Sequence, residues 1–172
     1  MAGRLGVIAD THGHEEAWEK ALQIWGDVDG VLHAGDVLAA DVSTELAEMI
    51  RRAPFPVIIS RGNCDPAGDE ELLRRPLLSP YATVWWNGKI ILCGHGNAFR
   101  ELRNSALLCA ADLVVYGHTH VASIVREGRT IFLNPGSAAL PKGRDPASAA
   151  VVDGEGISIF TLEGRDLHRE PW

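Results

Sequence analysis

The 172-residue chain has few of the residues that staple or anchor small proteins: three cysteines, two methionines and 6% aromatic side chains. Cys64, Cys93 and Cys109 are odd in number and lack the paired spacing of a zinc site. Neither a disulfide framework nor a structural zinc is therefore expected, and a reducing compartment fits best. Each cysteine reads as a small core residue rather than a reactive thiol. No apolar run approaches the roughly 18 residues of a membrane span, and the stretch from Arg4 to Ala9 is too short for a signal peptide. A cytoplasmic protein with no membrane partner is the expectation. Positive charge is also scarce. Sixteen Lys and Arg against twenty-three Asp and Glu leave a net charge of -7. That is the wrong sign for sequence-independent capture of a nucleic-acid polymer, although a small phosphate ester held through metal ions is compatible with it. The remainder is ordinary globular composition, 46% hydrophobic and 23% charged. Residues 1–172 are long enough to bury about two-thirds of the unfolded surface as one domain.

Hydrophobic periodicity alternates between strand and helix. Val7-Ile8 leads into Asp10-Thr11-His12, after which Trp18, Leu22 and Trp25 fall on one helical face. Asp29 to His33 reads as a buried strand, and Val42, Leu46, Met49 and Ile50 as the stripe of a second helix closed by Pro54 and Pro56. Val57-Ile58-Ile59 is a third strand, with a short helix from Asp69 to Arg75. Strands alternating with helices predict parallel pairing and an α/β fold. The second half differs, because Asn87-Gly88 between two apolar runs predicts an antiparallel hairpin. A helix over 101–110, a strand over 113–116, and hairpins turning at Glu127-Gly128 and at 153–156 follow. The long segment from Pro135 to Pro146 is expected to be mobile.

Five apolar strand candidates are each followed by polar residues able to bind metal: Asp10 and His12, Asp36, Asn63, His95, and His118 with His120. In open α/β sheets the carboxyl ends of the strands face one crevice, so residues dispersed along the chain can meet there. Gly35, Gly62, Gly94 and Gly117 precede four of these positions, as expected where the backbone turns sharply or approaches a ligand closely. Two carboxylates, one amide oxygen and four imidazoles exceed the needs of one four-coordinate ion and suit two ions sharing a bridging carboxylate. Two divalent ions roughly 3.5 to 4 Å apart turn a bridging water into hydroxide and stabilise the entering and leaving oxygens of a phosphate ester. The mixed oxygen and imidazole set favours Mn, Ni, Fe, Co or Zn over Ca or Mg.

Asp10-Thr11-His12, Gly35-Asp36, Gly62-Asn63, Gly94-His95 and Gly117-His118-Thr119-His120, in that order, resemble the signature of the calcineurin-like metallophosphoesterase superfamily. The Gly62-Asn63-Cys64-Asp65 version of the third motif is most similar to its small prokaryotic phosphodiesterase branch. The resemblance implies an αββα sandwich of two mixed β-sheets flanked by helices. It also implies that Asp10, His12, Asp36 and His120 hold one metal and that Asp36, Asn63, His95 and His118 hold the other, with Mn the favoured ion. Asp36 would be the bridge, and Asn63 and His118 would line the phosphate-binding face. Many superfamily phosphatases carry His where this chain has Cys64, and that His is thought to protonate the leaving group. A thiol has an ordinary pKa near about 8.5 and forms weak hydrogen bonds, so leaving-group assistance must come from elsewhere. The implied activity is hydrolysis of a small phosphodiester by metal-activated hydroxide. The alternatives are a phosphomonoesterase or protein phosphatase, and a non-catalytic protein-binding scaffold on the same fold, of which a retromer subunit is an example.

Other polar residues have plainer readings. His14, His33 and His168 read as hydrogen-bonded structural residues, with His33 also able to support a ligand. Asp65 either orients a ligand such as His12 or caps a turn. Asn134-Pro135-Gly136-Ser137 follows the apolar run Ile131-Phe132-Leu133 and reads first as a turn, with polar groups placed at the same rim as the alternative. Arg61 and Arg100 read as solvated surface arginines rather than phosphate contacts. Trp18 and Trp25 on one helix, and Trp85 and Trp86 in a hairpin, point to packing or to a homodimer contact.

Overall fold

The computed structural model describes residues 3–38 and 44–172. Its first half lays down β1 (Leu5–Ile8), α1 (Glu15–Trp25), β2 (Gly30–His33), α2 (Thr44–Arg52), β3 (Val57–Ser60), α3 (Asp69–Leu73) and β4 (Leu77–Leu78). Strands β1 to β4 pair in parallel, as strand–helix alternation requires. Next come β5 (Ala82–Trp86), β6 (Lys89–Cys93), α4 (Phe99–Leu108), β7 (Leu113–Val115), β8 (Ala122–Glu127) and β9 (Thr130–Pro135). These form a second sheet in the order β5-β6-β7-β9-β8. The chain then returns through β10 (Ser148–Val152), β11 (Gly156–Thr161) and β12 (Asp166–Pro171). Antiparallel pairing of β10 to β1 completes a seven-stranded sheet, β12-β11-β10-β1-β2-β3-β4.

The two sheets stack through side chains that alternate along each strand. Val7, Leu32, Ala150 and Ile159 from the larger sheet meet Ile91, Cys93, Leu113, Val115 and Leu133 from the smaller. The opposite faces are covered by helices. Ile8, Val31, Ile59 and Val151 pack under α1 and α2, while Leu92, Val114 and Phe132 pack under Leu102 and Ala106 of α4. The result is the αββα sandwich of two mixed sheets. Burial on both faces explains the unbroken apolar runs at Val57-Ile58-Ile59 and Leu113-Val114-Val115. Trp18 and Trp25 cross edge to face at 5.5 Å in this core, and the Trp25 Nε1–H donates to the Ala150 carbonyl at 2.9 Å. Core packing is therefore their role.

Several sequence expectations shift. Helix α4 starts and stops two residues earlier than expected. Phe99 packs its ring against Tyr116 and Phe132, and Ala110 adopts a left-handed φ of 52° that ends the helix. Val42, placed on the second helical stripe, lies outside the described residues. Cys93 is buried as expected, but Cys109 and Cys64 are exposed, each in a segment that follows an element's end and leaves the core. His14 is exposed, and His168 faces Asp145 at 3.5 Å. Among the described residues no helix is long and apolar enough to cross a membrane.

Asp69, the first residue of α3, is buried, and its Oδ2 meets no hydrogen-bond partner. Burial, reinforced by the Asp65 charge, raises its carboxyl from the ordinary 3.8 to about 6. An acid that titrates higher in the folded chain destabilises the fold as pH rises, with the loss accumulating from about pH 4 to above pH 6. Asp69→Asn is therefore expected to add roughly 1–3 kcal/mol of stability at pH 7.5 and almost none at pH 4. Urea unfolding at both pH values checks this, and an equal effect at the two would contradict it.

Candidate metal centre

The seven predicted residues occupy loops at the carboxyl ends of parallel strands in both sheets. Asp10 and His12 follow β1, Asp36 follows β2, and Asn63 follows β3. His95 follows β6, while His118 and His120 follow β7. Sheet stacking brings these two sets of strand ends to one edge, and all seven meet there. His95 Nε2 lies 3.3 Å from Asp36 Oδ2, 3.0 Å from Asn63 Oδ1 and 3.3 Å from His118 Nδ1. His120 Nε2 is 3.3 Å from Asp10 Oδ1, and His12 Nε2 is 3.8 Å from Asp36 Oδ2.

The backbone is bent hard to achieve this. Asp10, His12, Asp36, His118 and His120 all have positive φ, between 43° and 67°. Non-glycine residues rarely occupy this left-handed region, and such strain clusters where surrounding structure imposes it for function. Two neighbouring glycines admit the close approach. A Cβ on Gly117 would stand 2.7 Å from Asp10 Oδ2, and one on Gly62 would fall on Asp36 Oδ1 and the Asp36 backbone nitrogen.

A surrounding layer of hydrogen bonds orients these groups. His95 Nδ1 donates to the Ala34 carbonyl at 2.8 Å and His120 Nδ1 to the Leu140 carbonyl at 2.7 Å. In the neutral rings this leaves both Nε2 lone pairs turned inward. Thr11 Oγ1 donates its one hydrogen to the Val37 carbonyl, so His33 Nε2 must donate to Thr11 Oγ1, leaving His33 Nδ1 to accept from the Gly35 N–H. Burial, aided by the His95 ring, holds His33 down at about 3, so it stays neutral and serves as a brace for the loop carrying Asp36. Asp65 resolves as a loop clamp rather than a partner of His12. Its two oxygens accept from the backbone N–H groups of Asp36, Val37 and Gly62 at 2.7–2.9 Å, tying the Asp36 loop to the Asn63 loop.

Asn134-Pro135-Gly136-Ser137 is more than a turn. Asn134 Nδ2 donates to the Gly117 carbonyl and Thr119 Oγ1, and Ser137 Oγ donates to the Asp10 carbonyl. Thus β9 steadies the loops holding His118 and Asp10. The segment expected to be mobile is tied down at several points. Arg61 is engaged by Glu70 at 2.9 Å and the Asp65 carbonyl at 3.1 Å, and Arg100 pairs with Glu101 at the surface. Neither faces the centre.

The donors fit divalent cations. Asp10 Oδ1 and His12 Nε2 are buried and meet no hydrogen-bond partner, the arrangement of lone pairs directed at a metal. Burial drives Asp10 up to about 6 despite the opposing charges of His120 and His95, as for a carboxylate that needs a cation beside it. Burial also opposes ionisation of Asp36, but the His95 ring beside it and the hydrogen bond from the Cys64 N–H outweigh it and hold the carboxyl well below the usual range. Among the described residues three groups have ligand atoms within 4.8 Å of one another: Asp10, His12 and His120; Asp10, Asp36 and His95; and His12, Asp36 and Cys64. The last places Cys64, expected as a core residue, exposed at the rim of the site. Burial and the neighbouring Asp36 push the Cys64 thiol up, keeping it protonated and a weak ligand.

Comparison with known proteins agrees with this geometry. A sequence profile for the calcineurin-like phosphoesterase superfamily domain matches residues 4–156. Phosphodiesterase YfcE of Escherichia coli strain K12 is 30% identical over 175 aligned positions, covering 95% of each chain. The solved structure of the phosphoesterase Yfce from E. coli superposes with a TM-score of 0.82 at 26% identity over 98% of both chains. Vacuolar protein sorting 29 from Cryptosporidium parvum shares the fold, with a TM-score of 0.76 at 22% identity over 99% of this chain and 98% of that one.

Proposed function

This chain belongs to the calcineurin-like phosphoesterase superfamily and is a metal-dependent phosphoester hydrolase, and we propose that it is a dinuclear phosphodiesterase acting on a small phosphodiester. The observation that carries this reading is the meeting of Asp10, His12, Asp36, Asn63, His95, His118 and His120 at one sheet edge, with buried lone pairs directed inward. Asp36 belongs to both ligand sets that the family resemblance implies, so its carboxylate would help to hold both ions. Mn²⁺ is the favoured ion, with Ni, Fe, Co and Zn compatible with the same donors. When bound, such a pair supplies Lewis acidity toward phosphate oxygens and an acidified water.

The protein's own contribution is positional. Asp10, Asp36, His95 and His120 are buried at the floor, whereas Asn63 and His118 are exposed at the mouth. Substrate therefore arrives against Asn63 and His118, whose polar atoms face the phosphate. Phosphodiester preference follows the likeness to phosphodiesterase YfcE. The protonated Cys64 thiol, with Asn63 Nδ2 at 3.3 Å from its sulfur, is a poor proton donor, which favours esters whose leaving group needs no general acid. Residues 1–172 act as one domain. A cytoplasmic location rests on the odd, unspaced cysteines. A homodimer contact rests on Trp85 alone, 71% exposed, since Trp18 and Trp25 are core residues.

Chelator-stripped protein is expected to lose hydrolysis of bis(p-nitrophenyl) phosphate and to regain it on addition of Mn²⁺. Absence of turnover with every divalent ion tried, from protein shown to be folded, would contradict the enzyme reading and favour a binding scaffold.

A further inference from the structure

The loop over 138–144 rises directly beside the candidate centre and is built as a wall. Ala138 N–H donates to the Ala9 carbonyl at 3.1 Å, Leu140 N–H to Ser137 Oγ at 2.8 Å, and Lys142 N–H to the His120 carbonyl at 2.9 Å. The loop is thus fastened to the backbone on either side of the centre. It exposes Leu140 at 47% and presents Lys142 to solvent, while Val121, 39% exposed on the strand entry after His120, flanks Gly143 of the same loop, where a Cβ would stand 3.7 Å from it. Unlike Arg61 and Arg100, which are engaged by carboxylates, Lys142 forms no ion pair among the described residues. The loop lies against the site itself: the Leu140 carbonyl accepts from the His120 ring at 2.7 Å, and Lys142 is tied by its own N–H to the backbone of the same histidine.

We infer that Lys142 is a substrate-contacting residue that binds the anionic phosphoryl group at the mouth, with Leu140 and Val121 receiving the organic group of the ester. This rests on the phosphodiesterase reading for the identity of the ester, but not for the binding of phosphate. An unpaired ammonium on a fastened loop, close to a cluster that handles phosphate, is a point charge well suited to an anionic ligand. The apolar neighbours select esters carrying a flat or aliphatic substituent over free phosphate.

The test uses Mn²⁺-loaded full-length protein with inorganic phosphate as the probe, followed by calorimetry, alongside steady-state hydrolysis of bis(p-nitrophenyl) phosphate. Lys142→Ala is expected to weaken phosphate binding and raise KM by about tenfold, as for loss of one charge-assisted contact. Mn²⁺ content and Tm should be unchanged, and Lys142→Arg should restore most of the affinity. Arg144→Ala, which removes a neighbouring exposed cation, should leave both quantities alone. Unchanged phosphate affinity and KM in Lys142→Ala would overturn the assignment, as would an equal loss in Arg144→Ala, which would mark a diffuse loop charge instead. If the wild-type protein binds phosphate through Lys142 but hydrolyses no diester, the phosphodiesterase reading fails while Lys142 keeps its role.

Discussion

Replacing Asp36 with Ala is expected to lower Mn²⁺-supported hydrolysis of bis(p-nitrophenyl) phosphate on the order of 10³-fold or more. Loss of an outer residue that only orients a ligand typically costs roughly 10–100-fold, and Asp36 stands at the centre of the cluster. Its carboxylate is within 3.8 Å of the His12 ring and 3.3 Å of the His95 ring, and it accepts the Cys64 N–H at 2.8 Å. The fold should survive, because the Asp36 loop keeps its backbone bonds to Asp65 and to the β1 loop. Circular dichroism should therefore match the wild-type protein while activity is lost. Activity within a factor of a few of wild type would remove Asp36 from the bridge.

Gly62→Ala should damage the site and the fold together. Its Cβ would fall on Asp36 Oδ1 and on the Asp36 backbone nitrogen, which cannot move without breaking the clamp at Asp65. Forced overpacking of this kind costs roughly 1–3 kcal/mol, and displacement of Asp36 adds a loss of activity on the order of 10²-fold. Gly68→Ala is the matched control, since a Cβ there meets nothing within 4 Å. Urea unfolding and hydrolysis assays on the two variants should separate cleanly. Equal, small effects would mean that the Gly62 approach is not constrained as described.

The candidate centre was legible in sequence because each of its residues follows an apolar run that can only be a strand buried on both faces. The chain order of Asp10, His12, Asp36, Asn63, His95, His118 and His120 then carried the resemblance. The hairpin at Asn87-Gly88 was legible for a similar reason, because that pair suits the left-handed turn joining two strands. Other features depend on partners distant in the chain. Pairing of β1 with β10 joins residues about 145 positions apart, and no local pattern announces it. Strand β12 is an edge strand in which Leu167 packs on the core while the other positions are mostly exposed and polar, with an Arg126–Glu170 ion pair at 2.6 Å, so it lacks the apolar alternation that marks a strand. His33 resembled any core histidine until its bonds to Thr11 and Gly35 were visible. Asp65 offered two equal readings because a carboxylate near a turn can serve either, and only the three backbone donors around it decide between them.

Counting ions tests the central claim most directly. Chelator-stripped protein titrated with Mn²⁺ by calorimetry, with metal content measured after desalting, should take up two ions per chain, and Asp36→Ala should hold one or none. Saturation of the wild-type chain at a single ion, or retention of two by Asp36→Ala, would contradict a dinuclear centre bridged by Asp36.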